Sequence, residues 1–146
     1  MTAVFADSSA LVKLYADEVG AEAVRRPSPL IISQLARVEV PAALWRKHRL
    51  DELSMADVTL LIAAFEADYF GTEQEPARFL VIAASARILD DAAQLAGIHG
   101  LRAYDAVQLA SACSTLREVP EGVCFAAFDQ ALLAAAAREG FQLLAD

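Results

Sequence analysis

Ala3-Val-Phe-Ala-Asp7-Ser-Ser-Ala-Leu-Val-Lys-Leu-Tyr15 is the stretch on which the fold turns. A short apolar run leads straight into an aspartate. Two serines follow, and then Leu11, Leu14 and Tyr15 recur at i, i+3 and i+4. This pattern predicts a short buried strand that ends at Asp7 and turns at once into a helix. In an open parallel sheet, ligands bind just beyond the carboxyl ends of the strands, which puts Asp7 where such a fold does its chemistry. The plainer reading is that Asp7, Ser8 or Ser9 only caps the helix. Taken alone the stretch favours the cap, but the same arrangement returns at Asp129 and shifts the balance.

Working outward, Asp17-Glu-Val-Gly-Ala-Glu22 reads as a break and a short second helix, and Arg25-Arg-Pro-Ser-Pro29 as a turn, because two prolines resist helix. Leu30-Ile-Ile-Ser33 is the expected second strand. Residues 34–49 read as a helix complicated by Pro41, since an interior proline costs roughly 3 kcal/mol. Either the regular helix begins close to Glu39 or it kinks there, and both options keep Glu39 near the end of the second strand. Arg46, Lys47 and Arg49 then complement the dipole at its C-terminus. Ser54-Met-Ala-Asp57 resembles a capping box, followed by Val58, Leu61, Ile62 and Phe65 at helical spacing. Phe79-Leu-Val-Ile82 is a short extended piece. Ser85 caps a helix expected to stop at Gly97. Asp105 opens a helix that is apolar nearly all round and therefore buried. Val123-Cys-Phe-Ala-Ala-Phe128 is the clearest strand and is expected to run to Asp129. A helix over residues 130–139 and a last strand at 141–144 close the pattern. Helices alternating with short apolar strands predict a single-domain α/β sandwich on a mostly parallel sheet.

The totals bound the function. At 146 residues the chain is long enough for a real core, and 57% of it is hydrophobic. The longest apolar runs, near residues 60–65 and 79–84, are far too short to span a bilayer. No secretion signal is visible, and Cys113 and Cys124 read as buried thiols rather than a disulfide or a zinc site, so a cytoplasmic home without membrane attachment is the expectation. The net charge of −8 argues against a basic nucleic-acid-binding face.

Asp7 and Asp129 each follow a strand and precede a helix, while Glu39 and Asp105 each lie near a helix start. Strand ends of a parallel sheet with right-handed crossovers share one edge, so these four acids are expected to meet. Clustered carboxylates raise one another's pKa, and no Lys or Arg adjoins two of them in sequence. A divalent cation is the simplest counter-charge, and all-oxygen ligands select Mg²⁺ or Mn²⁺ over zinc. Each acid has a plain alternative as a cap or dipole complement; the joint pattern is the stronger sign.

In these same residues the chain resembles the PIN-domain ribonucleases, in particular the VapC toxins of VapBC toxin–antitoxin pairs. The resemblance rests on Asp7-Ser-Ser-Ala-Leu-Val-Lys-Leu-Tyr15, Arg37-Val-Glu-Val-Pro-Ala-Ala-Leu44, Gly100-Leu-Arg-Ala-Tyr-Asp-Ala-Val-Gln-Leu-Ala-Ser-Ala112 and Phe128-Asp129, in that order over nearly the whole chain. It implies a PIN-like three-layer α/β/α sandwich around a short, mostly parallel sheet of four to five strands. It implies a Mg²⁺-dependent endoribonuclease with Asp7, Glu39, Asp105 and Asp129 as catalytic and metal-binding acids, Asp129 being the least uniform, and Ser9 as a supporting hydroxyl. It further implies an RNA substrate, a homodimer and a VapB-like antitoxin that inhibits the enzyme. Lys13, Arg37 and Arg102 are candidates for guiding the RNA backbone, and the helix faces carrying Trp45, Leu61 and Phe65 for a partner, with ordinary core the preferred reading for Leu61 and Phe65.

Two rivals need weighing, a phosphoacceptor or phosphatase domain and a non-catalytic PIN-like module. A haloacid-dehalogenase-like phosphatase wants a second Asp two residues after the first, where Ser9 stands. A phosphoacceptor receiver domain wants paired acids near the N-terminus and a late Lys, and neither is present. A catalytically inactive PIN-like RNA- or protein-binding module is disfavoured by the presence of all four acids. His48 and His99 are the only histidines, and neither belongs to a nucleophile motif.

Overall fold

The computed structural model describes residues 3–16 and 30–144. Among them are five strands, β1 (Ala3–Ala6), β2 (Leu30–Ser33), β3 (Phe79–Ile82), β4 (Val123–Ala126) and β5 (Gln142–Leu143). Six helices accompany them: α1 (Ser8–Ala16), α2 (Ala36–Arg49), α3 (Met55–Phe70), α4 (Ala86–His99), α5 (Ala103–Thr115) and α6 (Gln130–Arg138). The strands form one sheet in the order β3-β2-β1-β4-β5, and every pairing is parallel. The predicted short helix at 17–22 and the turn at 25–29 lie outside the described residues.

Strand alternation sorts the core into two layers. Val4, Ala6, Leu30 and Ile32 face α1, α2 and α3, where they meet Leu11, Val40, Leu44, Val58 and Phe65. Phe5, Ile31, Val123 and Phe125 face α4, α5 and α6, where they meet Ile88, Leu109 and Leu132. The molecule is therefore a three-layer α/β/α sandwich. Phe65 is fully buried and packs edge-on against Tyr15 and obliquely against Phe79. Burying such a ring contributes about 1.5–3 kcal/mol. Leu61 and Trp45 are partly buried against the same cluster.

The sequence reading differs from the structure at several element ends. α2 begins at Ala36 and carries Pro41 inside it, so it starts before Glu39 rather than at it, with Glu39 in the first turn. Gly97 does not stop α4. The helix runs on to His99 and ends at Gly100, whose φ of +66° supplies the left-handed C-cap that glycine adopts without steric cost. β4 stops at Ala126, two residues short of Phe128, and Asp129 is instead the N-cap of α6. β5 covers only Gln142–Leu143. The expected caps at Ser54 and Ser85 both form, each hydroxyl accepting from the backbone N–H three residues on.

Candidate functional site

The chain leaves β1 towards β2 and β3 on one side of the sheet, and later returns to β4 and β5 on the other. The reversal falls between the carboxyl ends of β1 and β4, where folds of this architecture place their ligands. Asp7 and Ser9 line that junction. The Asp7 N–H donates to the Ala126 carbonyl at 3.0 Å. The Phe128 N–H donates to Ser9 Oγ at 3.1 Å, and Ser9 Oγ donates to Asp7 Oδ1 at 2.7 Å. Ser9 thus ties the segment that follows β1 to the Phe128 backbone beyond β4, 119 residues away. Oδ1 also accepts from the Ala10 N–H at 3.0 Å, so Asp7 caps α1 as well as occupying the sheet edge. The two readings of this residue are compatible.

Asp7 is only 4% exposed. Burial pushes its carboxyl up from an ordinary 3.8 to about 7. The Ser9 and Ala10 hydrogen bonds oppose that rise, and the charges of Asp105 and Glu39 add to it. A buried acid with two acidic neighbours lacks a counter-charge.

Glu39 is held from two directions. Its Oε1 accepts from Ser8 Oγ at 2.9 Å and from Gln108 Nε2 at 2.8 Å, and Gln108 Nε2 also reaches Ser8 Oγ at 3.0 Å. This network joins α1, α2 and α5 and leaves Oε2 outside it. Gln108 is 2% exposed, and its Oε1 has no hydrogen-bond partner. Sequence reasoning did not single out Ser8 or Gln108 as site residues. A usable signal existed for Gln108, the one amide in a buried apolar helix, three residues after Asp105 and so on the same face.

Asp105 and Asp129 stand on the outer side. Asp105 lies in the first turn of α5, and its carboxyl is raised by burial and by Asp129, with Arg102 pulling it back. Asp129 Oδ1 accepts from the Leu132 N–H at 2.9 Å, which is the plain cap role anticipated for it. Its Oδ2 lies 3.8 Å from Arg102 Nη2, and Asp105 Oδ2 lies 3.8 Å from Arg102 Nε. Arg102 therefore does adjoin two of the four acids, which the spacing in sequence did not reveal. Its side chain is 86% exposed, so these long pairs contribute little to stability. Of the other rim candidates, Lys13 sits 4.4 Å from the centre of the Phe128 ring, beside the same junction, and Arg37 pairs with Glu66 at 2.6 Å. His48 bonds the Leu53 carbonyl oxygen and His99 lies 3.6 Å from Glu139, both apart from this network.

Two adjoining clefts open here. One, of about 300 Å³, is lined by Glu39, Arg102, Ala103, Tyr104 and Asp105. The other, of about 410 Å³, is lined by Leu35, Val38, Glu39, Ala42 and Tyr104. As a cation site, the acids offer only oxygen donors, which suits a hard divalent ion. Among the described residues, no three His, Cys, Asp or Glu side chains are grouped as a ready-made ligand set. Mg²⁺ keeps much of its water and takes one or two carboxylates together with substrate phosphate, so such an ion does not require a preformed set of three. The uncompensated charge around Asp7 is the feature such an ion would offset.

No family model matches the chain, and no curated protein matches it. Among solved structures, the crystal structure of PAE2754 from Pyrobaculum aerophilum is similar, with a TM-score of 0.62, 24% identity, and coverage of 92% of this chain and 84% of that one. At that identity the likeness shows the fold alone. The fold so shown is the α/β/α sandwich described above; no helix among the described residues is long and apolar enough to cross a membrane.

Proposed function

We propose that this chain is a Mg²⁺-dependent endoribonuclease of the PIN-domain, VapC-toxin kind, acting in the cytoplasm as a homodimer and restrained by a cognate VapB-like antitoxin. One observation carries the reading: buried Asp7, at the switch point of the sheet, lies within electrostatic reach of Glu39 and Asp105, and Arg102 links Asp105 to Asp129. The motif resemblance supplies the reaction class.

Asp7, Glu39 and Asp105 would hold the ion, directly or through water, and Asp129 would complete the shell or orient the nucleophile. A bound divalent ion supplies a water of lowered pKa and charge stabilisation for in-line attack on the RNA phosphodiester. The protein's own part is positioning. Ser8 and Gln108 set the Glu39 carboxylate, and Ser9 sets Asp7. Arg102, exposed at the lip, provides a cation for the phosphate backbone.

One observation favours a second reading. Arg102 already partly neutralises Asp105 and Asp129, as expected of an inactive PIN-like module that binds RNA or protein without cleaving it. Incubation of the protein with structured RNA in Mg²⁺, in Mn²⁺ and in chelator separates them. Metal-dependent cleavage that Asp7→Asn abolishes supports the nuclease; binding without cleavage under every metal condition refutes it.

A further inference from the structure

The four acids are held in two different ways. Asp7 Oδ1 accepts from Ser9 Oγ at 2.7 Å and the Ala10 N–H at 3.0 Å, and Glu39 Oε1 from Ser8 Oγ at 2.9 Å and Gln108 Nε2 at 2.8 Å. Short bonds such as these fix the inner pair. The outer pair, at the starts of α5 and α6, instead faces a single cation. Arg102 Nε lies 3.8 Å from Asp105 Oδ2, and Arg102 Nη2 lies 3.8 Å from Asp129 Oδ2, so one guanidinium spans both carboxylates. Both contacts are longer than a hydrogen bond. The Arg102 side chain is 86% exposed, and although the residue stands at the N-cap of α5 it makes no side-chain cap bond. A contact so long and so exposed is weak.

We propose that Arg102 is a movable stand-in for the cation, countering Asp105 and Asp129 in the metal-free protein and giving way when a divalent ion binds there. The inference rests on the metal site of the ribonuclease reading and adds an internal competitor for that site. The oxygens decide it. Asp129 Oδ1 is occupied by the Leu132 N–H, so Oδ2 is the oxygen that remains for a ligand, and Oδ2 is the one that faces Arg102. Guanidinium and ion therefore contend for the same atom. Like charges repel at such range, so the two do not share it. A doubly charged ion outweighs a distant, solvated guanidinium, and Arg102, exposed as it is, regains full hydration by swinging outward. The planar fork matters too, because a lysine ammonium is a single point and does not span two carboxylates in the same way. The contact that suits an inactive module is then the resting state of an active one.

The test is a Mg²⁺ titration of the full chain followed by ¹H–¹⁵N NMR, without RNA. The Arg102 Nε–H resonance is assigned by its absence in Arg102→Ala, a substitution that an exposed side chain without a cap bond tolerates. In the wild type this resonance shifts with the same midpoint as the Asp105 and Asp129 backbone amides. Arg102→Ala binds Mg²⁺ about 2- to 10-fold tighter, the scale set by two exposed ion pairs. Arg102→Lys, which keeps the charge and loses the fork, falls between the two. Three results overturn the inference and leave the metal site standing. One is an Arg102 Nε–H that stays in place while the amides shift. Another is an Arg102→Ala protein that binds no tighter than the wild type. The third is an Arg102→Lys protein equal to the wild type, which makes the effect one of net charge rather than contact. If Mg²⁺ moves no resonance near the four acids in any of these proteins, the ribonuclease reading falls together with the inference.

Discussion

Asp7→Asn replaces a buried carboxyl by an amide of the same shape. The amide oxygen still accepts from the Ala10 N–H and Ser9 Oγ, so the cap of α1 survives. What disappears is a titrating group whose folded pKa, about 7, stands above its ordinary 3.8. The folded protein therefore binds this proton more tightly than the unfolded chain does. Stability from this group is full below pH 4, declines as pH rises from 4 to 7, and is lost above 7. About three decades of proton affinity at about 1.4 kcal/mol each make the ionised Asp7 a burden of roughly 4 kcal/mol at pH 8. The new amide N–H₂, if left without acceptors, gives back about 1–3 kcal/mol of that. Urea denaturation followed by circular dichroism between pH 4 and 9, in chelator, should show the wild type losing stability across pH 4–7 and the variant keeping a flatter profile, with the variant ahead by about 1–3 kcal/mol at pH 8. Adding Mg²⁺ at pH 8 should then stabilise the wild type more than Asp7→Asn, which lacks one of the carboxylates that would hold the ion. Parallel pH profiles for the two proteins would refute the claim that Asp7 carries an uncompensated buried charge.

Gln108→Met keeps the side-chain volume but removes the donor to Glu39 and Ser8 together with the unpartnered Oε1; the gain and loss nearly cancel, so stability should stay within about 1 kcal/mol while cleavage falls about 10- to 100-fold, with kcat affected more than KM. Asp129→Asn retains a side-chain oxygen for the Leu132 N–H, so the melting temperature should hold while metal-dependent cleavage drops; unchanged cleavage would leave Asp129 as a cap alone. Phe65→Ala empties a fully buried site ringed by Tyr15, Tyr69 and Phe79 and should cost about 3–5 kcal/mol in urea denaturation, far more than any substitution at the carboxyl edge.

Much of this protein was written in local pattern. The strand ending before Asp7, the compact Leu30–Ser33 strand and the caps at Ser54 and Ser85 follow from short-range rules of periodicity and capping, which act on neighbours in sequence. Those rules misplaced ends where two local signals competed. Gly97 reads as a stop, yet the better C-cap lies three residues on at Gly100, and Phe128 continues an apolar run although pairing with β1 ends at Ala126. The four acids were legible as candidates because each sits beside a helix start.

A meeting of these acids at one sheet edge is expected from the sequence, but which side chains touch is not legible there, because that depends on which strands become neighbours. Sequence alone determined an alternating α/β chain with acids at helix starts, since hydrophobic period and cap chemistry are encoded residue by residue. Only the tertiary structure decided that β1 lies between β2 and β4, which brings Ser9 to the Phe128 backbone across 119 residues and Gln108 to Glu39 across 69. It also decided that Arg102 stands between Asp105 and Asp129. Such contacts arise from burying two sheet faces at once, a long-range requirement that no local window of the chain contains.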